Sequence, residues 1–207
     1  MNGGPKTREK PWPTIADASG RDFGDEEMEL LRQVMQSGSL GYMYGSMVKQ
    51  FEKEFAERHG SKFACAVSSG TAALHTAMGA LLLEPGDEVI TTPVTDIGSI
   101  IAIVQCNCVP VFSDVDPLTM LIDPDSIRKQ ITGRTRALLV VHLLGQPCNM
   151  DEIMAIAQEH DLYVIEDCAQ SHDAKWDGKD VGTFGHFGCF SLQQSKQITT
   201  GDGGIVV

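Results

Sequence analysis

The amino-acid sequence predicts an α/β fold in three layers, a mostly parallel β-sheet with helices on both faces. From Phe63 onward, short apolar runs alternate with longer segments that carry apolar residues at helical spacing. The short runs are apolar along nearly their whole length, as expected of strands that are buried on both faces of a parallel sheet. Strands and helices that alternate in this way indicate a single α/β domain.

Two helices are predicted ahead of the sheet, at Asp25 to Gln36 and at Ser46 to His59, because apolar residues recur there on one helical face. The turn Gly38 to Gly45 separates them. Residues 1–24 are rich in glycine, proline and charge, and we expect an irregular N-terminal arm there. Residues 25–207 are then one large domain.

The remaining elements follow from the same periodicities and from local start signals such as Asp123-Pro124, a cap followed by a first-turn proline. Strands are predicted at Phe63 to Val67, Glu88 to Thr91, Val109 to Phe112, Ala137 to His142, Leu162 to Ile165, Phe187 to Phe190 and Ile205 to Val207. Helices are predicted at Gly70 to Leu83, Ile97 to Cys106, after Asp123-Pro124, and at Asp151 to His160.

Composition excludes several classes of protein. The net charge of -12 argues against nucleic acid or an anionic membrane as the main partner. The longest apolar run, Ile97 to Val104, is too short to span a bilayer, and the N-terminus lacks the apolar segment of a secretory signal, so we expect a cytoplasmic protein. The six cysteines form no C-x-x-C pair, which predicts buried, reduced thiols and no metal site.

Candidate site residues stand where strands end, the edge at which open parallel sheets bind ligands. Ser68-Ser69-Gly70-Thr71-Ala72 follows a strand and opens a helix, so its free N–H groups and the Thr71 hydroxyl can bind a phosphate. A plain serine or threonine N-cap explains the same residues equally well. Both interpretations stay open on the sequence alone.

Two further groups lie near later strand ends. Asp167 can hold a heteroaromatic ring nitrogen in its protonated form, while Glu166 is expected to point to the opposite side. Gln170 can face the same ligand, although a turn cap and a structural amide are equally good interpretations of Asp167 and Gln170. In the last stretch, Ser191 offers a hydroxyl and Lys196 an amine able to form a Schiff base, unless Lys196 is only a solvated loop residue.

Longer motifs resemble one enzyme family. The segments SSGTAALHTAMGAL, GDEVITTP, VIEDCAQSHDA, VGTFGHFGCFSLQQSK and TTGDGGIVV occur in the same order as in the DegT/DnrJ/StrS-type sugar aminotransferases. That family belongs to the fold-type I enzymes, which use pyridoxal 5'-phosphate. The resemblance covers nearly everything from Asp25 onward. It implies that residues 25–207 are part of the large cofactor-binding domain of such an enzyme.

The resemblance also implies roles for individual residues. Lys196 matches the Schiff-base lysine and Asp167 matches the carboxylate that pairs with the pyridinium nitrogen, which makes both catalytic. Tyr42 and Tyr44 are candidate substrate contacts, or else packing tyrosines. Cofactor contacts are implied for the phosphate at Gly70, Thr71, Ala72 and Ser191, and for the phenolic oxygen at Gln170.

The implied reaction moves an amino group from glutamate or glutamine to a keto group on a nucleotide-linked sugar or a cyclitol, in a homodimer with shared active sites. Two alternatives remain. One is a pyridoxal-phosphate-dependent sugar dehydratase, and the other is a non-catalytic regulatory homologue that binds the cofactor. Because certain dehydrating relatives carry histidine in place of the lysine, Lys196 favours transamination.

Two departures from the family are visible. Family members often place an aromatic residue after a strand-ending proline, but Pro93 to Ser99 contains none, so Asp96 is given no role. The chain also ends eleven residues beyond Lys196, without the smaller C-terminal domain of the family. We therefore expect a C-terminally truncated sequence that shows little activity alone.

Overall fold

The computed structural model of the protein describes residues 22–207, together with Glu9 and Thr14. The predicted arm at residues 1–24 therefore lies almost entirely outside the described residues. The chain divides into two compact units, residues 1–47 and residues 48–207. Helix α1 (Asp25–Ser37) belongs to the first unit, and the whole β-sheet belongs to the second.

Six α-helices and nine strands are found in the described part of the chain, and most lie within two residues of their predicted bounds. The helices are α1 (Asp25–Ser37), α2 (Met47–His59), α3 (Gly70–Ala80), α4 (Ile97–Gln105), α5 (Pro124–Gln130) and α6 (Met150–Glu159). The strands are β1 (Cys65–Val67), β2 (Glu88–Thr91), β3 (Val109–Phe112), β4 (Thr135–Val141), β5 (Tyr163–Asp167), β6 (Lys175–Trp176), β7 (Lys179–Asp180), β8 (Phe187–Ser191) and β9 (Gly204–Val206).

Seven of these strands form one sheet in the order β1-β9-β8-β5-β4-β2-β3. Neighbours from β8 to β3 are all parallel, whereas β9 is antiparallel to both β8 and β1. Because β9 alone is reversed, β1 runs in the same direction as the other five strands. Strands β6 and β7 form a separate antiparallel hairpin. The predicted mostly parallel sheet is confirmed.

The sheet has a hydrophobic layer on each face, and strand β4 shows how they are separated. Its alternate residues Ala137, Leu139 and Val141 join the cluster that contains the buried side chains of α3 and α4. Leu138 and Val140 join the opposite cluster, with those of α5 and α6. Successive side chains of a strand point to opposite faces, so continuous apolar sequence in β4 fills both layers. The three-layer prediction is therefore confirmed.

One expectation about burial was wrong. Cys65 is exposed, although four of the six cysteines are buried as predicted. In α1, Met28, Leu31 and Met35 are exposed. Their helical spacing gives α1 an apolar face, as predicted, but spacing alone does not show that other residues cover this face. Among the described residues, every helix is too short or too polar to cross a bilayer.

Candidate active site

Three segments meet at the carboxyl edge of the sheet. Asp167 is the last residue of β5, Ser191 is the last residue of β8, and α3 begins at Gly70 shortly after β1. Because β1, β5 and β8 run in the same direction, their carboxyl ends share one edge. Ligands of open α/β sheets bind at this edge.

The N-terminus of α3 has both a cap and unpaired donors. Ser69 is the N-cap residue: its side chain accepts a hydrogen bond from the Ala72 N–H at 3.0 Å, and its carbonyl accepts one from Ala73. The N–H groups of Gly70 and Thr71 have no hydrogen-bond partner in the described part of the chain. Unpaired N–H groups at a helix start attract anions. The N-cap and the phosphate interpretation are therefore compatible, since they use different N–H groups.

Ser191 lies directly against the start of α3. A Cβ atom added at Gly70 would lie 2.7 Å from Ser191 Cβ and 3.1 Å from its Oγ, so the two segments approach closely only because residue 70 is glycine. The Ser191 Oγ accepts a long hydrogen bond from Gln193 N–H at 3.4 Å, which does not use the hydroxyl proton. His172 Nε2 donates to the Ser191 carbonyl at 2.8 Å. The hydroxyl is thus held beside the unpaired N–H groups of α3.

Asp167 is a buried acid with both carboxylate oxygens engaged. Its Oδ2 accepts a hydrogen bond from Ser99 Oγ at 2.7 Å, and its Oδ1 accepts one from the Ala169 N–H at 3.0 Å. Burial raises the pKa of Asp167 above its usual value, and the hydrogen bonds from Ser99 and Ala169, with the charge of Lys196, oppose that rise. A cationic ligand nearby would therefore stabilise the ionised form of Asp167.

The first turn of helix α4 contacts both Asp167 and the start of α3. A Cβ atom added at Gly98 would lie 2.6 Å from Thr71 Oγ1, so Thr71 packs on the first turn of α4. The next residue, Ser99, reaches Asp167. Ser99 is assigned no role from the sequence alone, because nothing in its local sequence pairs it with Asp167. The available signal was its place in the first turn of a helix that starts at the carboxyl edge, after the N-cap Asp96.

Gln170 and Lys196 lie on two segments that touch. The Gln170 Oε1 accepts a hydrogen bond from the Leu144 N–H at 3.1 Å, and because a backbone N–H can only donate, this fixes the amide with its NH2 group as the remaining donor. The Gln197 side chain donates to the Gln170 carbonyl at 3.2 Å. Lys196 is half-buried, and its charge acts on Asp167. The lysine is therefore within electrostatic reach of the acid.

Glu166 points to the opposite side of β5, as predicted. Its Oε1 accepts hydrogen bonds from the N–H groups of Phe184 and Gly185, both at 2.7 Å. Its Oε2 accepts from Gly182 N–H at 2.7 Å and from His142 Nε2 at 3.0 Å. The carboxylate is fully buried and makes four hydrogen bonds, so it anchors the loop that leads into β8.

His142, Glu166 and Cys168 bring possible metal ligand atoms within 4.8 Å of one another. The His142 Nδ1 accepts a hydrogen bond from the Cys148 N–H at 3.0 Å, so its Nε2 carries the proton and donates to Glu166. Burial raises the pKa of the Cys168 thiol well above its usual value. Hydrogen bonds already occupy the oxygen and nitrogen atoms of this group, which identifies it as structural.

The predicted substrate contacts Tyr42 and Tyr44 lie in the first compact unit, and both side chains are exposed. The other predicted site residues belong to the second unit. Their roles remain predictions, but the second unit brings together the start of α3, Asp167, Gln170, Ser191 and the segment of Lys196.

This sheet order, with these groups at one edge, defines an α/β protein of the fold-type I aminotransferase class. The chain belongs to the DegT/DnrJ/EryC1/StrS aminotransferase family, whose sequence model matches residues 21–207. The predicted family and the predicted fold, the large domain of such an enzyme, are both confirmed.

Individual relatives agree with this assignment. A putative L-glutamine:3-amino-2,3-dideoxy-scyllo-inosose aminotransferase of Streptoalloteichus tenebrarius is 42% identical over 99% of this chain and 49% of its own length. The crystal structure of the aminotransferase from Psychrobacter cryohalolentis has a TM-score of 0.88 and 46% identity, over 96% of this chain and 48% of that one. GDP-4-keto-6-deoxymannose-3-dehydratase, solved with a trapped PLP-glutamate geminal diamine, has a TM-score of 0.86 and 34% identity, over 95% of this chain and 51% of that one. The chain thus spans about half the length of these relatives.

Proposed function

We propose that the whole protein is a pyridoxal-phosphate-dependent aminotransferase that transfers an amino group from glutamate or glutamine to a keto sugar or a keto cyclitol. One observation carries this proposal. A buried acid, a lysine within electrostatic reach of it, and a helix N-terminus with unpaired N–H groups lie at one edge of a parallel sheet. Family membership supports the same conclusion.

The residues at this edge fit pyridoxal phosphate. The N–H groups of Gly70 and Thr71, with the hydroxyl of Ser191, would bind the phosphate. Asp167 would bind the protonated pyridine nitrogen, and the NH2 group of Gln170 would donate to the phenolic oxygen. The Ala72 N–H, also expected in the phosphate turn, is occupied by the Ser69 cap, so Ala72 would contribute only through packing.

When bound, the cofactor supplies an electron sink that stabilises negative charge on a substrate carbon. Lys196 would hold the cofactor covalently at rest, and its amine would then accept a proton from the amino donor and return it. The hydrogen bonds from Ser99 and Ala169 favour the ionised form of Asp167, which would keep the pyridine nitrogen protonated. Its burial strengthens this interaction, because little water competes for the carboxylate.

The substrate class follows from the relatives. One is named for L-glutamine and an amino-dideoxy-scyllo-inosose, and another for a GDP-linked keto sugar. We extend these two acceptor chemistries to this protein, acting in the cytoplasm as a homodimer whose subunits complete each other's sites. We also propose that residues 25–207 are only part of the cofactor domain of each subunit.

A sugar dehydratase is the second candidate, supported by the similarity to GDP-4-keto-6-deoxymannose-3-dehydratase. The two reactions differ in their products. Transamination places nitrogen on the acceptor carbon, whereas dehydration removes a hydroxyl group and leaves no nitrogen on the sugar. Incubation with amino donor and keto sugar, followed by mass spectrometry, separates an amino sugar from a deoxy sugar.

The direct test of the proposed function is an absorbance spectrum of the whole protein with pyridoxal phosphate. We expect a visible band from cofactor bound to Lys196, which glutamine or glutamate should bleach and a keto acceptor should restore. Lys196→Ala should abolish the band, whereas Lys129→Ala, on the exposed side of α5, should retain it. A band retained in Lys196→Ala would contradict the proposal.

A further inference from the structure

Ser99 makes an unusual contact for a serine in the first turn of a helix. A hydroxyl in that position commonly bonds to a nearby backbone group of its own helix. Ser99 instead reaches Asp167, 68 residues away in sequence, with Oγ and Oδ2 2.7 Å apart. Both side chains are almost completely buried. The contact therefore joins α4 to the end of β5 without competition from water.

The hydrogen bonds in this group have a defined direction. An ionised carboxylate can only accept, so the Ser99 hydroxyl donates its single proton to Asp167. The Ser99 oxygen lies 2.8 Å from Thr95 Oγ1, and since its own proton is already used, Thr95 is the donor in that pair. The two hydroxyls thus form a relay from Thr95 through Ser99 to Asp167. Thr95 precedes the N-cap residue Asp96, so the relay starts in the segment that leads into α4.

The groups around Asp167 show why its ionisation depends on this relay. The titratable groups beside Asp167 are Cys189 of β8, His142, which follows β4, and Lys196 of the last segment. Burial raises the pKa of the Cys189 thiol well above its usual value, so that thiol stays neutral. Burial likewise raises the pKa of Asp167, and the Ser99 hydrogen bond is the largest opposing influence. An acid that must be ionised to hold a pyridine nitrogen depends on such a donor.

We propose that Ser99, supported by Thr95, is a positioning residue that holds the Asp167 carboxylate ionised and correctly oriented for the pyridine nitrogen of the cofactor. The inference rests on the proposed function and deepens it. Oδ2 is fixed by α4 and Oδ1 by the Ala169 N–H, so rotation of the carboxylate would break both hydrogen bonds. Ser99 itself touches neither substrate nor cofactor in this role.

The test measures how tightly the whole protein binds pyridoxal phosphate between pH 5 and pH 9, by absorbance titration. Affinity should fall as the pH drops through the pKa of Asp167. Ser99→Ala should move this fall upward by about one pH unit and weaken binding about tenfold below it, from the usual strength of a hydrogen bond to a charged group. Ser99→Thr retains the hydroxyl and should behave like the unmutated protein. The substitutions at residue 99 change neither Lys196 nor the cofactor phosphate, so differences among these variants report on Asp167.

Ser126 provides a matched control. It is buried at the equivalent third position of α5, and its Oγ accepts a hydrogen bond from Asp114 N–H at 2.8 Å, away from the site. Ser126→Ala should lower stability without shifting the pH profile.

Thr95→Val leaves Ser99 in place and should shift the pH profile in the same direction as Ser99→Ala, but by less. This second variant keeps the test usable if Ser99→Ala folds poorly.

Several outcomes would overturn the relay. In Asp167→Asn the pH-dependent step should vanish, and its survival would show that another group titrates. A Ser99→Ala protein with the unmutated pH profile would refute the relay but leave the aminotransferase proposal standing. An unmutated protein that never forms a lysine-bound cofactor band would instead refute the proposed function and the relay together.

Discussion

The substitution Glu166→Gln tests how the loop before β8 is held. Each oxygen of Glu166 faces two donors: Oε1 accepts from Phe184 and Gly185, and Oε2 from Gly182 and His142. A glutamine has one oxygen and one NH2 group, so in either orientation its NH2 group faces two N–H donors. A change of tautomer at His142 does not remove the conflict, because its Nδ1 must stay unprotonated to accept the hydrogen bond from the Cys148 N–H.

The expected loss of stability is large. Two hydrogen bonds to a charged group disappear, and two buried donors are left unpaired, which at ~1.5–3 kcal/mol each gives about 3–6 kcal/mol. With a urea slope near ~2 kcal/mol per molar, the unfolding midpoint should fall by about 1.5–3 M. Circular dichroism at increasing urea concentration measures it.

The control is Glu159→Gln, since Glu159 is exposed and its ion pair with Arg128 should contribute less than ~1 kcal/mol. If Glu166→Gln lowered the free energy of unfolding by less than ~1 kcal/mol, the four-donor description of this carboxylate would be wrong.

Three further predictions concern the site and the thiols. Gly70→Ala should weaken pyridoxal phosphate binding at least about tenfold in an absorbance titration, because the new Cβ would overlap Ser191; unchanged affinity would contradict the close approach. Because burial raises the pKa of Asp167 in the folded state, stability of the cofactor-free protein should fall as the pH rises from about 4 through that raised value. Asp167→Asn should remove this fall, checked by urea midpoints at pH 5 and pH 8, and a persistent fall would assign it elsewhere. Cys65 should react with iodoacetamide in the native protein, whereas Cys148, buried with a pKa of about 12, should react only after unfolding; equal labelling by mass spectrometry would refute this.

Local sequence signals predicted much of the fold. Glu88–Thr91 and Val109–Phe112 have the bounds expected from their apolar runs, because these strands lie between clear turn signals. The start of α3 at Gly70 followed from the serine cap. The opposite directions of Glu166 and Asp167 followed from strand alternation alone.

What sequence could not provide depends on contacts between distant segments. Ser99 bonds to Asp167 only because the tertiary fold brings the first turn of α4 to the end of β5, and no local pattern encodes that neighbour. The strand Gly204–Val206 was recognised, but not its reversed direction or its place between β8 and β1. Direction within a sheet is set by tertiary pairing, which a three-residue apolar run does not specify.

The position of β9 has a consequence for how the protein folds as it is synthesised. Cys65 pairs with Val206, so β1 gains its partner in the sheet only after β9, which comes much later in the sequence, has left the ribosome. Until then both edges of β1 are unpaired, and before β8 is made the cradle of Gly70 and Ser191 does not exist. The phosphate cradle therefore cannot form before β8 has been synthesised, and β1 is most exposed to aggregation in the interval before it pairs with β9.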